Sequence, residues 1–92
     1  MKKLIHVHGI VQGVGYRAFV KNLADKYRIN GYVQNMEDGS VEILILGDDN
    51  LVEKFINSIN IYTDYGIQVY NIEELPLPDN IDKFKDTFII KR

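Results

Sequence analysis

Asp38-Gly39 stands between two runs of strand-forming residues, Tyr32-Val33-Gln34 and Val41 to Leu46. A tight hairpin turn needs positive φ, which Asp and Gly tolerate, so the two runs are expected to pair as antiparallel neighbours. This local constraint argues against a doubly wound parallel sheet, in which successive strands are joined by a crossover helix.

The remaining elements follow from periodicity. Leu4 to Ile10 alternates, with Ile5 and Val7 on one face and Leu4, His6 and His8 on the other, which predicts a first strand. Phe19, Val20, Leu23, Ala24 and Tyr27 recur at helical spacing opposite Lys21, Asn22, Asp25 and Lys26, giving an amphipathic helix of about three turns. Asn30-Gly31 is expected to stop it, because Gly is favoured just beyond a helix C-terminus. Gly47 ends the third strand, and Asp48, Asp49 or Asn50 can cap a second helix that buries Leu51, Val52, Phe55, Ile56 and Ile59. Ile67, Val69 and Asn71 alternate with Gln68, Tyr70 and Ile72 in a fourth strand. Pro76 and Pro78 mark a loop, and Thr87 to Ile90 can form a short last strand.

Strand, helix, strand, strand, helix, strand is the order of an α+β ferredoxin-like βαββαβ sandwich, an antiparallel sheet with two helices on one face. Ninety-two residues are expected to form one domain, residues 1–92, since a second core would have too little to bury. With no Cys there is neither a disulfide framework nor a thiolate metal site, and the expected compartment is the cytoplasm. A net charge of -2 argues against nonspecific nucleic-acid binding. No apolar run reaches the ~18–20 residues that cross a bilayer, and Met1-Lys2-Lys3 leads into no signal-peptide core.

The chemistry concentrates in Gly9 to Arg17, between the first strand and the first helix. Glycines at 13 and 15 allow successive N–H groups to point into one concavity. A helix starting near Tyr16 adds free N–H groups and the positive end of its dipole, a combination suited to phosphate or another oxyanion. Arg17 stands in the first turn, where the dipole disfavours a cation, so its placement points to a ligand. A tight connection with a solvated Arg is the plain alternative. Gly13 to Ala18 also fits G-x-G-x-x-A, but a dinucleotide site needs a parallel sheet and two mononucleotide halves. A P-loop is excluded, because no Lys-Ser or Lys-Thr follows the glycines.

At these residues the chain resembles the acylphosphatase family. V-H-G-I-V-Q-G-V-G-Y-R, from Val7 to Arg17, is similar to its first signature, with Tyr16 where an apolar Phe or Met is usual. Gly31-Tyr32-Val33-Gln34-Asn35, followed by Gly39-Ser40-Val41 and Gly47, is similar to its second. The chain departs from the family pattern after Ile61: Tyr62 to Gln68 lacks a Gly-Pro step, and Leu75 to Lys85 is idiosyncratic. The resemblance implies hydrolysis of acyl phosphates to a carboxylate and inorganic phosphate by a monomeric enzyme, through attack of a positioned water without metal or other cofactor. It implies Arg17 as the arginine that binds the phosphoryl group and Asn35 as the asparagine that positions the water. The backbone of Gln12, Gly13, Val14, Gly15 and Tyr16 is implied as the phosphate cradle, shared by substrate and by phosphate as a competitive inhibitor. Asn35 is expected to end the second strand beside this loop, away from both chain ends. Its plain alternative is a turn-forming residue ahead of Asp38-Gly39.

Two other functions use the same fold or the same residues. A domain that binds phosphate or carbamoyl phosphate with little turnover would need Arg17 and Asn35 equally. An RNA-binding module shares the topology, but its third strand needs exposed aromatics, and Val41-Glu42-Ile43-Leu44-Ile45-Leu46 has none. His6 and His8 share a strand face without a third ligand at recognisable spacing, so they are expected to be solvated or sheet-packed. Tyr62, Tyr65 and Tyr70 are expected to pack against sheet and loop, and Glu73-Glu74 and Asp79 to Asp86 to face solvent.

Overall fold

The computed structural model describes residues 1–92. Its elements run β1 (Lys2–Ile10), α1 (Tyr16–Tyr27), β2 (Asn30–Asn35), β3 (Val41–Leu46), α2 (Asp49–Ile59), β4 (Gln68–Leu75), a short 3-10 turn (Ile81–Phe84) and β5 (Phe88–Lys91). The strands form one sheet in the order β4-β1-β3-β2-β5. β1 pairs antiparallel with β3 and β4, and β2 with β3, as the hairpin requires. The sheet is not wholly antiparallel, however: β5 lies parallel to β2, with Phe88 opposite Gly31 and Lys91 opposite Gln34. The loop carrying Pro76 and Pro78 returns the chain across the sheet, so the last strand enters beside β2 in the same direction.

Alternation along the strands divides the apolar residues between two faces. Ile5, Val7, Val33, Ile43 and Ile45 meet Val20 and Ala24 of α1 and Val52, Phe55 and Ile59 of α2 in the main core. Each fully buried Val, Ile or Phe among them contributes roughly 1.5–3 kcal/mol of transfer free energy. The opposite face carries Leu4, Tyr32, Leu44 and Leu46, against which Leu75, Ile81 and Phe84 pack. Asp79 to Asp86 is therefore not uniformly solvent-facing, because the 3-10 turn directs its two apolar residues onto the sheet. No helix is long and apolar enough to cross a membrane.

Three local features differ from the expectation. Helix α1 ends at Arg28, in the left-handed region at φ 57, and not at Asn30-Gly31. The Arg28 N–H donates to the Asp25 carbonyl and that of Ile29 to the Ala24 carbonyl, closing the helix one residue before Ile29 enters the core. Asn30 and Gly31 already belong to β2; Gly31 is needed there because a Cβ would lie 1.9 Å from the Leu44 carbonyl oxygen. Between β2 and β3, Gly39 alone takes positive φ and Asp38 does not; the loop is five residues long, closed by Met36 N–H to the Ser40 carbonyl at 2.9 Å. In β4 the alternation shifts face at a bulge opposite His8 and Gly9, so Val69 and Ile72, rather than Asn71, reach the main core.

The tyrosine trio also departs from expectation. Tyr62, Tyr65 and Tyr70 are exposed, and Tyr62 and Tyr70 pair with ring centroids 6.2 Å apart. His6 and His8 lie on the open sheet face, where their Nε2 atoms meet Glu42 and Glu73 at 2.8 and 3.1 Å. Tyr32 donates its hydroxyl to the other oxygen of Glu42, at 2.7 Å.

Candidate active site

A cavity of about 270 Å³ opens where the loop after β1 meets the start of α1 and the end of β2. Its walls include Gly13, Gly15, Tyr16 and Arg17 from the loop and helix, Asn35 from β2, and Ile90 and Arg92 from the end of the chain. The fold thus brings Arg17 and Asn35, 18 positions apart in sequence, to one concavity.

The loop is shaped by left-handed backbone at two glycines, Gly13 at φ 75 and Gly15 at φ 79. Gly15 is the N-cap of α1, and no side chain caps this end. The contrast with α2 is instructive. There Asp48 accepts from Asn50 N–H at 3.0 Å and Leu51 N–H at 3.4 Å, and Asp49 adds an acidic group in the first turn. Helix α1 has no acidic residue in its first turn, so its first N–H groups and the positive end of its dipole carry no internal anion.

Of the predicted cradle, Gly13, Gly15 and Tyr16 line the cavity, whereas Gln12 and Val14 do not. Val14 packs against the main core. The Tyr16 side chain points away as well: its ring is buried and its hydroxyl donates to the Ile59 carbonyl at 2.9 Å. Burial raises the Tyr16 hydroxyl well above the usual tyrosine range, so it stays protonated.

Arg17 and Arg92 take part in none of the five ion pairs of the molecule, and no Asp, Glu, His or Cys side chain lines the cavity. Two arginines therefore border a space that no acidic side chain lines. Asn35 adds a further open valence. Its Oδ1 is buried and without a hydrogen-bond partner, the one such side-chain atom in the structure. An orphaned buried acceptor costs about 1–3 kcal/mol, so Asn35, a residue of the cavity wall, is held at a cost that the fold does not recover.

Nothing in the sequence marks Arg92 or Ile90 as a site residue. The sequence places Asn35 away from both chain ends, but the parallel pairing of β5 with β2 carries residues 90 to 92 alongside it. The apolar run before Lys91 signals a strand; only its sheet partner decides that the strand ends at this cavity.

The Acylphosphatase family model matches residues 3–90. An acylphosphatase of Staphylococcus haemolyticus is 38% identical over 86 residues, which cover 91% of this chain and 96% of that protein. The crystal structure of acylphosphatase from Bacillus subtilis superposes with a TM-score of 0.81 at 33% identity, covering 99% of this chain and 98% of that one. A probable carbamoyltransferase HypF of Methanocaldococcus jannaschii is 43% identical over 93 aligned positions; the match spans 99% of this chain but only 12% of that protein.

Proposed function

The chain belongs to the acylphosphatase family and hydrolyses acyl phosphates, and we propose that Arg17 clamps the phosphoryl group while Asn35 holds the attacking water. The observation that carries this reading is the meeting, at one cavity, of Arg17 free of any ion pair, an uncapped helix N-terminus and Asn35, whose buried Oδ1 has no hydrogen-bond partner.

The transferred phosphoryl group passes through a loose transition state with charge spread over three equatorial oxygens. Arg17 can hold two of those oxygens in its planar fork. The N–H groups around Gly13 to Tyr16 supply further donors that need no reorganisation as charge develops. The leaving group is a carboxylate, a weak base, so bond cleavage calls for no strong general acid. Asn35 fits a water-positioning role because its amide can accept a hydrogen bond from water at Oδ1 and donate one from NH₂, with no added negative charge beside the phosphate. On this reading positive charge at the site comes from Arg17, and the reaction runs without a metal. Inorganic phosphate leaves the same cradle and therefore inhibits competitively. Residues 1–92 act as one domain and as a monomer.

The test is phosphate release from an aromatic acyl phosphate, with and without chelator. Turnover that persists in chelator is expected; turnover abolished by chelator rejects the metal-free mechanism. The likeness to a segment of a carbamoyltransferase favours one second reading, a domain that binds phosphate or carbamoyl phosphate with little turnover. Saturable phosphate binding without phosphate release from either class of substrate would establish it instead.

A further inference from the structure

The side chain of Gln12 does not enter the cavity, yet it is among the most firmly held groups beside it. Its Nε2 donates to the Met36 carbonyl at 2.8 Å and to the Ser40 carbonyl at 2.8 Å, spending both amide protons on main chain 24 and 28 residues away. Those two carbonyls flank the turn that follows Asn35. The turn is already closed on itself by Met36 N–H to the Ser40 carbonyl and by Gly39 N–H to the Met36 carbonyl. Ser40, the one buried polar residue, holds Asp38 at its tip through hydroxyl and N–H. The turn is thus a rigid block, and Gln12 bolts it to the loop that continues directly into Gly13, Gly15 and Arg17.

We infer that Gln12 is a positioning residue: its side-chain amide sets the distance between the phosphate loop and Asn35, and so the alignment of water with the phosphorus. The inference rests on the roles given above to Arg17 and Asn35. In-line attack is sensitive to this distance in a way that phosphate binding is not. Arg17 and the loop N–H groups belong to one segment and keep their mutual geometry without the bolt. Asn35 belongs to another; the sheet and the packing of α1 on β2 bring the two near each other, and Gln12 is the side chain that hydrogen-bonds directly from the loop to the turn after Asn35. A residue that merely stabilised the fold would not separate these two properties.

Gln12→Met keeps the length of the side chain and removes both donors; Gln12→Asn keeps the amide but is one methylene too short to reach both carbonyls. Each is expected to lower kcat by ~10- to 100-fold, the range that a misplacement of about an ångström produces. The inhibition constant of inorganic phosphate is expected to stay within about threefold of the parent, since its contacts are all on one segment. In an Asn35→Ala background, Gln12→Met should have little further effect on kcat, because the group it positions is gone. Gln12→Asn carries the same test if Gln12→Met melts at too low a temperature to assay. Parent-like kcat in the Gln12 variants overturns the inference, as does a weakening of phosphate binding in step with kcat. Full additivity of Gln12→Met with a slow Asn35→Ala overturns Gln12 alone. An Asn35→Ala enzyme as fast as the parent overturns the Asn35 role, and this inference with it.

Discussion

The Tyr16 hydroxyl donates to the Ile59 carbonyl across 2.9 Å, joining the first residue of α1 to the last of α2. That carbonyl is one of the four at a helix C-terminus that lack an intrahelical partner, so Tyr16 satisfies it inside the core. Tyr16→Phe keeps the ring and strands the carbonyl, and should lower stability by about 1–3 kcal/mol in a denaturant melt. The same burial gives a pH signature. The folded hydroxyl is raised above its unfolded value, so its contribution is complete below the unfolded pKa of about 10 and declines as pH rises beyond it. Tyr16→Phe should flatten the alkaline fall in stability; an unchanged slope would assign it to other groups, Tyr32 first among them.

Substitutions at Arg17 and Asn35 should separate binding from turnover. Arg17→Ala is expected to weaken inorganic phosphate about 10- to 100-fold, the worth of a charge-assisted hydrogen bond, and to slow turnover with it. Asn35→Ala should leave phosphate inhibition near the parent value and lower kcat by ~10²–10³. Loss of phosphate binding in Asn35→Ala, measured by the inhibition constant, would move Asn35 from water to the phosphoryl group.

Gly31 is constrained by a neighbouring backbone rather than by a turn. It sits in β2 at φ 129, and an added Cβ would meet the Leu44 carbonyl oxygen at 1.9 Å. Gly31→Ala must part β2 from β3 on top of a conformational cost of about 1–3 kcal/mol. Gly39→Ala, at φ 94 with nothing within 4 Å, bears the conformational cost alone. Thermal melts should therefore rank Gly31→Ala well below Gly39→Ala; equal losses would place the strain in φ and not in contact.

Acid stability should report on the turn after Asn35. Ser40 donates its hydroxyl and its N–H to Asp38 Oδ1, at 2.6 and 2.9 Å, and holds that carboxyl below the usual range. A depressed folded-state pKa gives stabilisation that is complete above the unfolded value of about 3.9 and is lost as pH falls through the lower folded value. In Ser40→Ala the Asp38 carboxyl, followed by NMR, should titrate closer to 3.9. A midpoint that does not move shows that the N–H alone sets it.

Much of this protein is local enough to be read along the chain. Val41 to Leu46 and the apolar face of α2 come directly from period and capping, with Asp48 serving as cap. Arg17 stood out because it opposes the helix dipole, a conflict visible without any partner. The misread positions share a different property. Arg28 takes the left-handed cap in place of a glycine because Ile29 must turn into the core, while the glycine three residues on is reserved for a contact with Leu44. The face shift in β4 depends on how it lies against Gly9.

Sequence alone determined the element order, the two-sided burial of the strands, and a glycine loop with an arginine at a helix start. Those are consequences of side-chain period, backbone permissiveness and charge within a few residues. Tertiary structure decided the parallel entry of β5 beside β2, which brings Arg92 to the cavity. It also decided that the Gln12 amide spans to the turn after Asn35. Both depend on which distant main-chain groups are left to hydrogen-bond once the core has closed, and that choice has no period for a linear pattern to carry.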